Sequence, residues 1–535
     1  MKIKVLLVTL VLLVFHSCST DPEIFVESEV IDEKEKEEEI NVDVPKLLTD
    51  SISELTLYSV TLGGKIIDQG KSAVTELGIV VGLSSGATID SNFNKFVLQA
   101  DSSGKFSTIV IEIPPNTEFY IRAYGINEQG VGYGNEITFN SLSDNVVWGP
   151  IYLTNQKEVN DFGAKNYTSI INSLNIEGSD IIDLTPLKSL VIIESSLSVI
   201  GTSLKNLKGL DNVEIIGAKN ASGISYIQRN PLLEDLSGLE NVKMITCYFG
   251  LWDNESLTSL KGLDNLHILY WDFDIGSCSN LQSLNGLENL TYVGGDINIH
   301  NNPLLNDLKA FQNVETSGRM DLRMSGNISL TNLDGFEKIN KINTLSLKNN
   351  PNLRNINSLK NLDSLYSLDL DNNEKLSDLS AMNNLKSIHY LTIQNCSSIT
   401  DLTGFSNLER IEELLTISYN SNLKELKGLE KLHTINRINI HSNNLLQNIE
   451  GLSGLRSILS DSYSLTISYN PLLTSLNGLE NINLKKGRIF IGYNSPQLEY
   501  CALKPVLLNY IGEDFYLELE EGRSVTQSEV ISNCP

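Results

Sequence analysis

The chain has 535 residues and a formal charge of −26 at pH 7, from 66 acidic and 40 basic side chains. That balance makes nucleic acid and anionic lipid surfaces poor partners. Six cysteines in this length exclude a disulfide-held scaffold, although an exported chain could carry a bridge.

At the N-terminus, Lys2 and Lys4 precede an apolar run from Val5 to Phe15. The run is too short to span a bilayer and no stop-transfer pattern follows it. It ends in Phe15-His16-Ser17-Cys18, which resembles a bacterial lipobox. The resemblance implies a lipoprotein signal peptide over residues 1–18, with Cys18 as the acylated (palmitate-bearing) first residue of the mature chain. An ordinary cleaved signal peptide is the alternative. Ser19, Asp21 and Glu23 look like the surface-export context of Bacteroidetes lipoproteins. That implies an outer-membrane, surface-exposed location and a membrane partner reached through the lipid. Residues 19–45, with Glu33, Glu35, Glu37, Glu38 and Glu39, are too acidic and too poor in apolar groups to fold. They read as a tether with a reach of about 25–30 Å.

Residues 46–143 alternate apolar and polar in short runs. Leu55 to Ile67, Leu77 to Val81, Ser107 to Ile111 and Phe119 to Ile126 read as strands of an all-β sandwich. The stretch Ile113 to Tyr124, followed by Asn127 and Gly130, resembles the late strands of a fibronectin type III domain. The resemblance implies a spacer or protein contact. Gly82-Leu83-Ser84-Ser85-Gly86 fits the spacing of a nucleophile elbow, but no helical period follows it and no histidine is near. A Ser/Gly turn is the expected structure.

From Ile181 the phrase L-x-x-L-x-(Gly/small)-(Leu/Phe) recurs thirteen times. Its copies start at Ile181, Leu204, Leu233, Leu257, Leu281, Leu305, Leu330, Leu353, Leu376, Ile399, Leu423, Leu446 and Leu473, mostly 23 to 25 residues apart. So short a period holds one strand and one return path, which defines a solenoid over residues 148–497. Rungs stacked about 4.7–4.9 Å apart give one continuous parallel sheet roughly 60 Å long.

Three residues before the phrase stand Asn230, Asn254, Cys278, Asn302, Asn327, Asn350, Asn373, Cys396, Asn420, Asn443 and Asn470. A buried amide column satisfies turn backbone groups that would otherwise cost about 1–3 kcal/mol each. Cys278 and Cys396 fill the same slot as small weak donors, five rungs apart and out of bridging range. Cys247 is expected half-buried at the start of a strand. This column beside L-x-L strands resembles leucine-rich repeats. The Gly238-Leu239-Glu240-Asn241-Val242 step and the segment Val159 to Ile176 resemble the receptor L domain and its N-terminal cap. These resemblances imply a right-handed solenoid and say little about ligand. The phrase decays after Leu498, so residues 498–535 are expected to cap the open end. A Cys501–Cys534 bridge there would add up to about 3–4 kcal/mol.

Most outward strand positions are bland: Ser346 and Lys348, Thr392 and Gln394, Thr416 and Ser418, Thr466 and Ser468. Copies four to seven instead present Tyr248, Trp252, Asp272, Asp274, Asp296, Asn298, His300, Asp321 and Arg323, with Tyr270 and Trp271 just before Asp272. Asp272, Asp296 and Asp321 share a column, and stacked like charges are unfavourable. Three readings stay open: a solvated face, a glycan or protein patch with aromatic platforms, or a Ca²⁺ site that relieves the repulsion. No other cofactor is expected. The carboxylate spacing also admits glycoside cleavage, but a flat sheet offers no pocket and no means to keep one carboxyl protonated. The expectation is a non-catalytic, surface-anchored binding or adhesion lipoprotein for glycan or protein ligands. A carbohydrate-active enzyme and a purely structural envelope protein are the alternatives.

Overall fold

The computed structural model describes residues 43–535 apart from 56–58, 112, 142–144, 218–222, 317–319 and 521–522. The expected signal peptide, Cys18 and the tether up to residue 42 lie outside the described residues. The chain divides into two compact units, the first taking in residues 43–55, 59–111 and 118–140, the second 113–117 and 145–535. No helix among the described residues is long and apolar enough to cross a membrane.

The first unit is built of two antiparallel sheets. Lys46–Thr49, Ser59–Asp68 and Lys105–Ile111 form one; Asn94–Leu98, Glu76–Gly82, Glu118–Asn127, Gly130–Tyr133 and Ile137–Asn140 form the other. Alternation drives it: Phe119, Ile121 and Ala123 are buried on one face of their strand. Asn127 closes the following hairpin by accepting the N–H groups of Gln129 and Gly130 at 2.9 and 3.2 Å. Ser84 sits in an exposed loop with no helix after it. Its neighbours Ser85 and Gly86 donate to the Glu136 carboxylate at 2.6 and 2.7 Å, which is the behaviour of a turn.

The second unit is a parallel β-solenoid of about 15 turns. The leucines of the repeated phrase form its core: Leu257, Leu260 and Leu263 are fully buried, as are their counterparts on the other rungs. The small residue of the phrase is explained at Gly262, whose φ is +107° and where an added Cβ would lie 2.1 Å from the Leu236 carbonyl oxygen. Rungs with a side chain at this position, such as Ala310 and Ala381, take a 3₁₀ turn instead (Lys309–Phe311 and Ser380–Asn384).

The expectation of one sheet needs correction. A long sheet does run the length of the unit, from Ile151–Leu153 to Arg523–Ser524. Beside its first half lies a second parallel sheet of eight short strands, from Val146–Trp148 to Glu315–Thr316. From Lys341–Lys348 to Thr434–His441 each rung is a single strand of eight or nine residues instead. Spacing changes with it. Two residues separate the inward side chains Ile342 and Leu345, whereas three separate Leu269 and Phe273, where the rung turns a corner. The Arg410–Ser418 strand also has three, between Ile411 and Leu415, and takes the extra residue as a register shift.

The ladder is continuous. Asn302 shows its pattern: its Oδ1 accepts the Cys278 N–H at 3.0 Å, its Nδ2 donates to the Ile275 carbonyl at 3.1 Å, and its own N–H donates to Asn327 at 3.2 Å. Asn494 adds a further member that the repeat did not reveal, accepting from the Asn470 N–H at 3.1 Å. At the other end Thr202 donates to Asn230. Burial pushes the Cys278 and Cys396 thiols up to about 12, so both are inert neutral members. Cys247 is fully buried rather than half-buried, with its sulfur 3.0 Å from the Ser225 hydroxyl.

Immediately before the ladder residue, every rung from Arg229 to Tyr493 has positive φ, between +53° and +69°. Asn301, Gly326, Asn349, Asn372 and Asn395 suit that conformation; other L-residues pay about 1–2 kcal/mol for it.

Both ends are covered. Helix Gln156–Gly163, capped by Asn155, buries Val159 and Phe162 against the first rungs. At the far end Phe515–Glu520 pairs in parallel with Arg488–Gly492, so one more rung lies inside the segment expected to be cap alone. Helix Gln527–Asn533 follows, with a capping box between Thr526 and Glu529, and a Cys501–Cys534 disulfide (Cα–Cα 5.2 Å) ties it down.

Candidate functional site

The corner between the two sheets and the outward face next to it carry the unusual side chains. Strand register sets them in three columns. Tyr248, Asp272, Asp296 and Asp321 form the corner column; Tyr226, Gly250, Asp274, Asn298 and Arg323 the middle one; and Gln228, Trp252, Gly276 and His300 the outer one.

Two glycines make the site possible. Gly250 leaves its place in the middle column to the rings around it: an added Cβ would meet Tyr248, Tyr226 and Trp252 at 3.0–3.3 Å. The three rings close over it, with centroids 5.0 Å apart for Tyr226–Trp252, 5.8 Å for Tyr226–Tyr248 and 6.1 Å for Tyr248–Trp252. Gly276 does the same for His300, whose ring would lie 2.0 Å from a Cβ there.

Asp274 joins the two halves of this cluster. Its carboxylate accepts the Trp252 Nε1–H at 2.9 Å, the Tyr248 hydroxyl at 3.0 Å and His300 Nε2 at 3.1 Å. Burial alone would push the Asp274 carboxyl up, but the donors from His300, Trp252 and Tyr248 together outweigh it and hold the group below the ordinary range. In turn the hydrogen bond to Asp274 raises His300 despite its partial burial. Burial and the adjacent Asp274 charge hold the Tyr248 hydroxyl protonated.

The corner carboxylates are not left to repel one another. Asp272 Oδ1 accepts the Asp296 N–H and Asp296 Oδ1 accepts the Asp321 N–H, each at 2.8 Å. Arg323 bridges the last two, with Nη1 2.7 Å from Asp296 Oδ2 and Nη2 on Asp321. Asn343 Nδ2 adds a bond to Asp321 Oδ1 at 2.9 Å. The column is thus a second hydrogen-bonded ladder, and the repulsion that argued for Ca²⁺ is met by donors of the chain itself. Among the described residues no group of three or more His, Cys, Asp or Glu side chains is arranged to hold a metal.

The structure therefore brings together Tyr248, Trp252, Asp274 and His300 as one cluster, and Asp272, Asp296, Asp321 and Arg323 as another. Asn298 lies between them in the middle column and makes no side-chain hydrogen bond among the described residues. Trp271 is apart from both: it lies before the strand Phe273–Gly276, as the sequence suggested, and is 43% exposed at the corner. Sequence reasoning missed Tyr226, Gly250, Gly276 and Asn343. The glycines carried no signal, because an outward glycine is informative only once its neighbours' rings are known.

Chemically the arrangement is a rigid surface with ring edges, one unengaged amide and a half-exposed guanidinium. Carboxylates that already accept two or three hydrogen bonds are positioned to orient neighbours more than to exchange protons. Comparison with protein-family models finds no match, and comparison with curated proteins finds no relative.

Proposed function

We propose that the protein is a non-catalytic binding or adhesion lipoprotein, held at the cell surface by an acylated Cys18 and a residue 19–45 tether. In this reading the first unit is a fibronectin type III-like sandwich acting as spacer. The second is a right-handed solenoid of the receptor L or leucine-rich-repeat kind, with residues 498–535 at its closed end. Its ligand, a glycan or a protein, docks on the face formed by Tyr226, Trp252, Asn298, His300 and Arg323.

One observation carries the reading: three rings and a histidine are locked around Asp274 over two glycines. Along the middle of the same sheet the central column is small or polar, as at Ser346, Asp369, Thr392, Thr416 and Thr466, and it turns aromatic again at Phe490 and Tyr516. Preorganised aromatic anchors with satisfied polar partners are what binding hot spots require.

The test is a glycan and host-protein array probed with the full chain and with Trp252→Ala. The expected result is a saturable ligand whose affinity falls about 30-fold in the variant. A confirmed ligand bound equally by both would remove this face from consideration. Anchoring is tested separately by incorporation of a labelled fatty acid, expected in the wild type and lost in Cys18→Ser; equal labelling of both would exclude Cys18.

A further inference from the structure

A different edge of the solenoid carries an independent site. At the positive-φ position before the ladder, the later rungs carry Tyr419, Ser442, Tyr469 and Tyr493, with φ of +55° to +58°. Tyrosine is an unfavourable choice there, and burial does not compensate: the three are 54%, 52% and 45% exposed. The fold asks only for the turn, which Asn349, Asn372 and Asn395 supply on other rungs. Strain kept at exposed aromatic positions points to use.

The spacing is equally specific. Tyr469 and Tyr493, on adjacent rungs, stack with centroids 4.6 Å apart and planes 8° from parallel. One ring per rung therefore fills the column. Ser442 interrupts it, so the backbone positions of Tyr419 and Tyr469 stand two rungs apart, about 9.5 Å, with no ring on the rung between them at this position. The gap opens into a groove of about 630 Å³ lined also by Asn395, Ser421, Asn444 and Pro471. None of these lining side chains is charged, although the chain as a whole is strongly acidic. His441, edge-on to Tyr419 at 5.1 Å and 3.3 Å from the Ser442 hydroxyl, has its ordinary value lowered by burial and is neutral near pH 7.

We propose that this groove binds a neutral saccharide, with one pyranose ring held between Tyr419 and Tyr469 above Ser442. A flat aromatic ring touching both tyrosines needs only about 7–8 Å, twice the normal carbon contact distance. A puckered ring with C–H bonds on both faces is thicker and fits the wider gap. The side chains of Ser421 and Asn444 make no hydrogen bonds among the described residues and can meet sugar hydroxyls. An uncharged lining disfavours acidic or sulfated sugars and charged peptides alike.

The site does not depend on the sheet face around Asp274, and its test separates the two. Calorimetric titration of the full chain uses neutral oligosaccharides of glucose, galactose, mannose and N-acetylglucosamine, with a tyrosine-containing peptide as the contrasting probe. Binding of at least one oligosaccharide and no binding of the peptide are expected. Tyr469→Asn removes a ring and relieves the turn, so it should melt no lower than wild type while losing about tenfold in affinity. Ser442→Tyr, which fills the gap, should abolish binding. In a Trp252→Ala background, where any contribution of the sheet face is removed, Tyr469→Asn should cost the same factor. No oligosaccharide bound, peptide bound in preference, or undiminished binding by Tyr469→Asn and Ser442→Tyr would each overturn the proposal.

Discussion

The two halves of the solenoid use one frame to different ends. Before Ser325 each rung is two short strands meeting at a corner; from Lys341 to His441 it is one long strand. Both halves share the buried leucines and the asparagine ladder, and most rungs differ by one residue between two inward side chains, the Arg410–Ser418 strand keeping the longer spacing as a register shift. In the split rungs that residue lets the chain turn a corner just before one column of side chains. Tyr248, Asp272, Asp296 and Asp321 occupy it in the split half and build a polar network, while Thr344 and Ser367 continue the same column in the other half.

The comparison can be broken first at what the halves share. Asn302→Ala and Asn420→Ala should each cost about 2–4 kcal/mol, because each strands a backbone N–H and a carbonyl on neighbouring rungs. Urea unfolding measures both; a large inequality between them would show that the ladder is not a common frame. Next comes what they do not share. Asp296→Ala should cost about 1–2 kcal/mol, through the Asp321 N–H and Arg323, while Ser367→Ala in the same column of the other half stays within about 0.5 kcal/mol.

Gly276→Ala should cost about 1–2 kcal/mol by pushing the His300 ring off Asp274. It also gives the pH test. His300 titrates higher folded than unfolded, so its contribution is complete below its unfolded value near 6.5 and is lost as pH rises through the folded value. Asp274 works in the opposite sense: its contribution is present above the unfolded carboxylate value and is lost as pH falls through the lowered one. NMR should place the His300 midpoint above 6.5 in wild type and nearer 6.5 in Gly276→Ala and Asp274→Asn. Unchanged midpoints would sever the link between the two groups. The smallest expected effect is a gain: Cys278→Asn and Cys396→Asn each complete the ladder and should add about 0.5–1 kcal/mol, equally in both halves.

The repeat made the rungs, the buried leucines and the asparagine column legible, because each is a periodic demand on residue type. The second sheet was less visible, since Leu269–Phe273 and Ile342–Leu345 differ by one residue inside copies that otherwise read alike. The repulsion in the aspartate column was legible, but what compensates it was not, for a physical reason. Side-chain charge can be read from sequence, but the N–H groups of Asp296 and Asp321 that the column accepts, and the return of Arg323 across it, belong to the folded backbone. Tyr226 stands four residues before Asn230, as Asp274 stands before Cys278. A lone tyrosine on the third rung nevertheless carries no signal until the rings of Tyr248 and Trp252 are placed beside it.

The ladder has a direction. Each asparagine accepts the N–H of the rung before it, so Asn302 completes Cys278 and Asn327 completes Asn302. A chain leaving the ribosome N-terminus first therefore always ends in a rung whose amide is unanswered until the next one arrives. Synthesis adds the answer one repeat late, all the way to Asn494.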